Sequence, residues 1–171
     1  FKGKPVVVLK TGSSAIGSEL TVSHTGSLSG SAELYEALFQ RVGIISVTNP
    51  SQLLETLKLL CIVGAPKGAR VAGFTCSGGG ATMLADHAEK IDLVFPVMDS
   101  KHENDLAALL PEIATVSNPL DYTTPIWGQA EMTYPVFAKA ISAIEADTAV
   151  LVQDYPAAGL DSSKGFYRAD A

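Results

Sequence analysis

Val71-Ala72-Gly73-Phe74-Thr75-Cys76-Ser77-Gly78-Gly79-Gly80-Ala81-Thr82 is the stretch that decides the fold. Val71 to Thr75 reads as a short strand that leads into a turn. Ser77 to Gly80 interrupts it, and a helix-period segment runs from about Ala81 to Lys90. A strand that turns straight into a helix is half of a βαβ crossover, the connection that parallel strands require.

The same alternation extends in both directions. Upstream, Val6 to Leu9 and Ile44 to Val47 read as strands. Between them a helix follows Ser31, a plausible N-cap, with Leu34, Leu38 and Val42 on one face and Gly43 as its stop. A second helix opens at Asn49-Pro50-Ser51-Gln52, where Asn49 can cap, Pro50 suits the first turn and Gln52 can reach back. Downstream, Leu93 to Phe95 reads as a strand and Glu103 to Leu110 as a helix. Ser117 to Asp121 then reads as a loop, Glu131 to Glu145 as a helix and Ala149 to Val152 as a strand. The expected fold is α/β, with parallel sheets flanked by helices on both faces in three layers. Gly64 to Gly68 is the best break in the pattern, although residues 1–48 and 49–171 are the expected domain parts. The first part is too small for a complete domain.

Composition narrows the function. Twelve Lys and Arg against eighteen Asp and Glu give a net charge of −6, and 47% of residues are hydrophobic. That balance supports a buried core and argues against nucleic acid or an anionic membrane as partner. Cys61 and Cys76 form no CxxC, and no metal-ligand set is legible, so a reducing cytoplasm is the expected setting. No apolar run is long enough to cross a membrane.

Two stretches carry chemistry. Ser23-His24-Thr25-Gly26-Ser27-Leu28-Ser29-Gly30 sets a histidine among small residues, in what reads as a polar loop from Thr11 to Gly30. A neutral imidazole nitrogen can attack phosphorus, and small neighbours leave it open to a reactant; a plain surface histidine is the bland alternative. Gly78, Gly79 and Gly80 open a helix, where amides at the positive end of the dipole suit a phosphate. A ligand-free tight turn fits the same residues. Thr11 to Ser18 nearly matches a nucleotide P-loop, but Ser18 replaces the phosphate-binding lysine. His87 and His102 read as solvated, Asn118-Pro119 as a turn, and Asp121 as a cap or polar site group. Asp147 and Asp154 show no catalytic partner.

The run from Lys4 to Gly12, the Ser23 to Gly30 motif, the glycine turn and Asn118-Pro119-Leu120-Asp121, in that order, closely resemble the NDP-forming acyl-CoA synthetases of the succinyl-CoA synthetase superfamily. The resemblance implies flavodoxin-like domains and a phosphorylated histidine at His24. It also implies that the helix opened by Gly78 to Gly80 faces the phosphohistidine. The implied activity is that of an acid–thiol ligase, joining a carboxylic acid and CoA at the expense of ATP, with ADP and phosphate released and Mg²⁺ entering with the nucleotide. The family's Rossmann-like CoA-binding domain, its ATP-grasp domain and the glutamate that steadies the phosphohistidine have no counterpart here. The chain therefore reads as a fragment, inactive alone, whose partners are those missing domains or further copies of itself. Two other functions stay open: a ligand-sensing region of a protein acetyltransferase, and a structural α/β interaction domain.

Overall fold

The computed structural model describes residues 3–25 and 30–153. These form two compact units, Phe1–Ala65 and Pro66–Ala171, divided inside the Gly64 to Gly68 break. All strand pairings are parallel and helices lie against both sheets, as the alternating pattern predicts.

The first unit pairs β1 (Val7–Leu9) with β2 (Ile45–Val47), Val8 opposite Ser46. Helix α2 (Ala32–Val42) starts at Ser31, whose hydroxyl accepts from Leu34 N–H, and ends at Gly43 with φ 69°, a left-handed C-cap. Its apolar face is not the buried one. Leu34, Leu38 and Val42 are exposed, whereas Phe39 is buried and pairs with the Tyr35 ring at 5.8 Å. Helix α3 (Pro50–Ile62) has its Gln52 N–H bonded to Asn49 Oδ1 at 2.9 Å. The Gln52 side chain reaches back one residue further than a capping box does, accepting from Thr48 N–H and Oγ1 at 2.9 and 2.8 Å. Because α3 packs against β1 and β2, it belongs to the first unit, and the compact units divide after residue 65 rather than after 48.

One element here departs from the sequence reading. Ala15–Thr25 is helix α1, not a loop. Ser14 begins it: its hydroxyl accepts from Gly17 N–H at 3.0 Å and its carbonyl from Ser18 N–H at 2.8 Å. Serine there supplies a cap, and the hydroxyls that made the stretch look like loop turn back onto their own helix, as Thr21 Oγ1 does to Gly17 O.

In the second unit β3 (Val71–Thr75) lies between β4 (Leu120–Asp121) and β5 (Thr148–Val152). All five residues of β3 are buried, as a central parallel strand requires. Helix α4 (Gly78–Glu89) packs on β3 and β4, and α5 (Ser100–Ala107) packs with α6 (Ala130–Ala143). The core gathers Phe74, Leu106, Leu120, Tyr122, Ile126 and Val136. Leu93 to Phe95 does not form a strand, making only a single bridge between Val94 and Arg70.

Leu120–Asp121 is the strand that sequence reading placed in a loop. Asn118 explains how so short a strand is held. Its Oδ1 accepts from Gly73 N–H at 2.9 Å, and its Nδ2 donates to Val71 O and Pro96 O at 2.9 and 3.0 Å. One amide side chain thus does the work of three ladder bonds, on a peptide that is cis to Pro119. Gly73 has to be glycine at this point, because a Cβ would stand 2.8 Å from Leu84 Cδ2 and 2.9 Å from Pro119 Cβ.

Candidate functional site

His24 lies in the last turn of α1, and its side chain is exposed. The imidazole is therefore accessible, on a helix rather than in the loop expected for it. The helix ends at Thr25, and Gly26 to Ser29 lie outside the described residues.

In the second unit, the glycine turn sits where β3 ends. Helix α4 begins at Gly78 itself, three residues earlier than the periodicity indicates, because Ser77 caps it with its hydroxyl. Gly80 N–H donates to that Oγ at 3.1 Å, so it is already engaged. A Cβ on Gly80 would also run into the Thr75 hydroxyl, which gives this glycine a packing role. A Cβ on Gly79 would meet nothing within 4 Å, and one on Gly78 would meet only Asp121 Oδ2, at 3.6 Å. The three glycines thus separate by role. Gly78 and Gly79 stand in the first turn at the positive end of α4 with little to meet a side chain, and Gly80 seats the helix on its strand.

The carboxyl ends of β3 and β4 meet beside this turn. Thr75 is opposite Asp121, and Tyr122 N–H donates to Thr75 O at 2.9 Å. Asp121 accepts from Thr123 N–H at 2.9 Å through Oδ1. Thr123 is buried and its hydroxyl has no partner among the described residues. In parallel α/β sheets, ligands bind outside the carboxyl ends of the strands. Sequence reading listed Asp121 only as a cap or polar group; its proximity to Gly78 depends on a two-residue strand too short to show a period.

Asp147 and Asp99 make ion pairs elsewhere in the second unit. Asp147 does have a partner, Arg70, 77 residues away in the chain. Arg70 donates to it from Nε at 3.1 Å, Nη2 at 3.0 Å and the backbone N–H at 3.1 Å. The side-chain hydrogen bond from Arg70, more than the charge, lowers the Asp147 pKa below the ordinary carboxylate value. Gly68 lacks a side chain because a Cβ would strike that carboxylate. His102 Nδ1 lies 2.7 Å from Asp99 Oδ2, on the carboxylate that caps α5, and the His102 backbone N–H is the first cause of a lowered Asp99 pKa. His87 is exposed on α4, and Asp154 lies outside the described residues. Among the described residues no three His, Cys, Asp or Glu side chains gather to hold a metal, and no helix is long and apolar enough to cross a membrane.

Parallel sheets flanked by helices define an α/β protein of flavodoxin-like build. The family model of the succinyl-CoA ligase-like flavodoxin domain matches residues 1–60. The chain is 37% identical over 128 residues to the alpha subunit of an ADP-forming acetate–CoA ligase of Pyrococcus furiosus, covering 75% of this chain and 28% of that one. It is 35% identical to an ADP-forming acetate–CoA ligase of Archaeoglobus fulgidus, covering 69% of this chain and 17% of that one. A structure of a dinucleotide-forming acetyl-coenzyme A synthetase from Ca. Korarchaeum cryptofilum, in complex with phosphate and ADP, superposes with a TM-score of 0.76. It covers 86% of this chain and 32% of that one at 24% identity, a likeness of fold. The resemblance to the ADP-forming acyl-CoA synthetases of the succinyl-CoA synthetase superfamily is thereby shown, for a chain that spans less than a third of those relatives' length.

Proposed function

We propose that this chain is the phosphoryl-handling part of an ADP-forming acyl-CoA synthetase. The observation that carries the reading is His24, exposed in the last turn of α1 and inside the segment that matches the succinyl-CoA ligase-like domain. In the forward direction an imidazole nitrogen of His24 attacks the γ-phosphorus of ATP, and ADP leaves. The carboxylate of the acid then takes the phosphoryl group, which breaks the N–P bond and forms an acyl phosphate. The CoA thiolate attacks the acyl carbon, and phosphate leaves with both electrons of the C–O bond. Each step passes one group along, so one ATP, one acid and one CoA give one acyl-CoA, one ADP and one phosphate.

The first-turn amides of Gly78 and Gly79 support a role in holding the phosphoryl group or the released phosphate. Gly80 leaves that set and keeps the packing role described above. ATP, CoA and Mg²⁺ are assigned to other domains or subunits of the complete protein, as the family resemblance implies. Acetate, named in the relatives, is the first acid to try.

Turnover of the complete protein tests the reading. With ATP, Mg²⁺, CoA and a panel of acids, it should release ADP and acyl-CoA in equal amounts. His24→Asn should abolish both, while His87→Asn and His102→Asn leave them nearly intact. Turnover that survives His24→Asn contradicts the mechanism. CoA or acyl-CoA binding without any turnover would favour the ligand-sensing role instead.

A further inference from the structure

Asp121 and Thr123 stand at the carboxyl end of β4, beside the start of α4, and the phosphoryl-transfer steps above give them no role. Asp121 Oδ1 is occupied by Thr123 N–H, whereas Oδ2 is turned toward Gly78, 3.6 Å from where a Cβ on that residue would be. A second, independent feature marks the same strand end. Thr123 is only 7% exposed, and its hydroxyl has no hydrogen-bond partner among the described residues. A buried hydroxyl left unmade costs free energy that a ligand or water at this strand end would recover.

A carboxylate at this position is at odds with a bare anion site. Two first-turn amides at a helix N-terminus attract negative charge, but Asp121 repels it at the same place. The conflict disappears when the anion brings a hydrogen of its own. We propose that Asp121 is a specificity-determining residue, accepting a hydrogen bond from the P–O–H of a protonated phosphate whose unprotonated oxygens face Gly78 and Gly79. Inorganic phosphate keeps at least one proton near neutral pH and fits this arrangement. Sulfate, of the same size and shape, has none, so its oxygen would face the carboxylate with no hydrogen between them. A site built around such an acceptor rejects the analogue that lacks the donor, because one polar group is then left unpaired. The inference rests on the phosphate reading of Gly78 and Gly79, and it narrows their ligand to a protonated phosphate, the anion that the ligase reaction releases.

Binding of radiolabelled inorganic phosphate to the complete protein, with unlabelled phosphate or sulfate as competitor, tests it. Gly79→Val defines the site: a Cβ there meets nothing within 4 Å, so the substitution blocks the close approach of the anion without a clash at that atom, and an unchanged thermal unfolding midpoint checks that it folds. For the binding that Gly79→Val removes, sulfate should compete at least about tenfold more weakly than phosphate. Asp121→Asn supplies an amide donor in the same shape and should bring the two competitors close to parity. Equal competition in the wild type, or a preference that survives Asp121→Asn, overturns the role of Asp121 while leaving the phosphate site in place. The wild-type competition decides this even if Asp121→Asn proves unstable. If Gly79→Val removes no bound phosphate, the phosphate site itself falls, and this inference with it.

Discussion

The two units are built from the same parts and bury very different cores. Both have parallel strands and capped helices, yet among the described residues only Phe39 and Val47 of the buried hydrophobics lie in the first unit. Twelve others, from Val71 to Ile144, lie in the second. The cause is strand count. Among the described residues of the first unit β1 pairs with β2 alone, and the apolar face of α2 carries Leu34 at 73% exposure. With β4 and β5 on either side of it, β3 is covered on both edges and both faces. Local signals such as caps work equally well in either unit, but a core needs long-range partners.

The sharpest way to break that comparison is to truncate one leucine in each unit. Leu106 is fully buried, so Leu106→Ala should cost about 2–5 kcal/mol in chemical denaturation. Leu38 is half-exposed on α2, and Leu38→Ala should fall within about 0.5 kcal/mol. Equal costs would show that the α2 face is covered in solution, and the contrast between the units would be lost.

A smaller effect sharpens the account of the second unit. Asn118→Ala leaves Gly73 N–H, Val71 O and Pro96 O without their side-chain partner. The expected loss is about 2–3 kcal/mol, with faster hydrogen exchange at Tyr122 N–H, whose bond to Thr75 O depends on the seating of β4. Unchanged stability would mean that Pro119 packing alone fixes the strand.

The smallest effect is electrostatic. In the second unit, hydrogen bonds from Arg70, Lys139 and the His102 backbone lead the causes that lower the pKa values of Asp147, Asp105 and Asp99. A carboxylate whose pKa is lower when folded stabilises the protein above its unfolded value, and that stability is lost as pH falls through the folded value. The unit should therefore weaken on acidification below about pH 4, and Asp147→Asn should flatten part of that slope. Asp99 and Asp105 are exposed, so their part of the slope is shallow. Denaturation midpoints that rise over this window would contradict the assignment.

Much of this was legible in the sequence, for identifiable reasons. Val71 to Thr75 was readable because a mostly apolar run leads straight into a glycine turn, and α2 and α3 because Ser31, Gly43, Asn49 and Pro50 mark their ends. Helix α1 was not. Its serines, threonines and glycine favour turns, and Ile16 and Leu20, four apart, are both exposed, so no buried stripe announces the helix. The site was legible in its residue types and not in its geometry. Asp121 facing Gly78 is a contact between positions whose pairing no local pattern encodes. Nor does spacing show that Asp147 serves Arg70.

The chemical state of His24 tests the central claim most directly. The complete protein, incubated with γ-labelled ATP and Mg²⁺, should gain an acid-labile, base-stable phosphate that maps to His24, and His24→Asn should gain none. Added CoA and cognate acid should discharge it as acyl-CoA forms. Thioester synthesis with no label on His24 at any time would contradict the account.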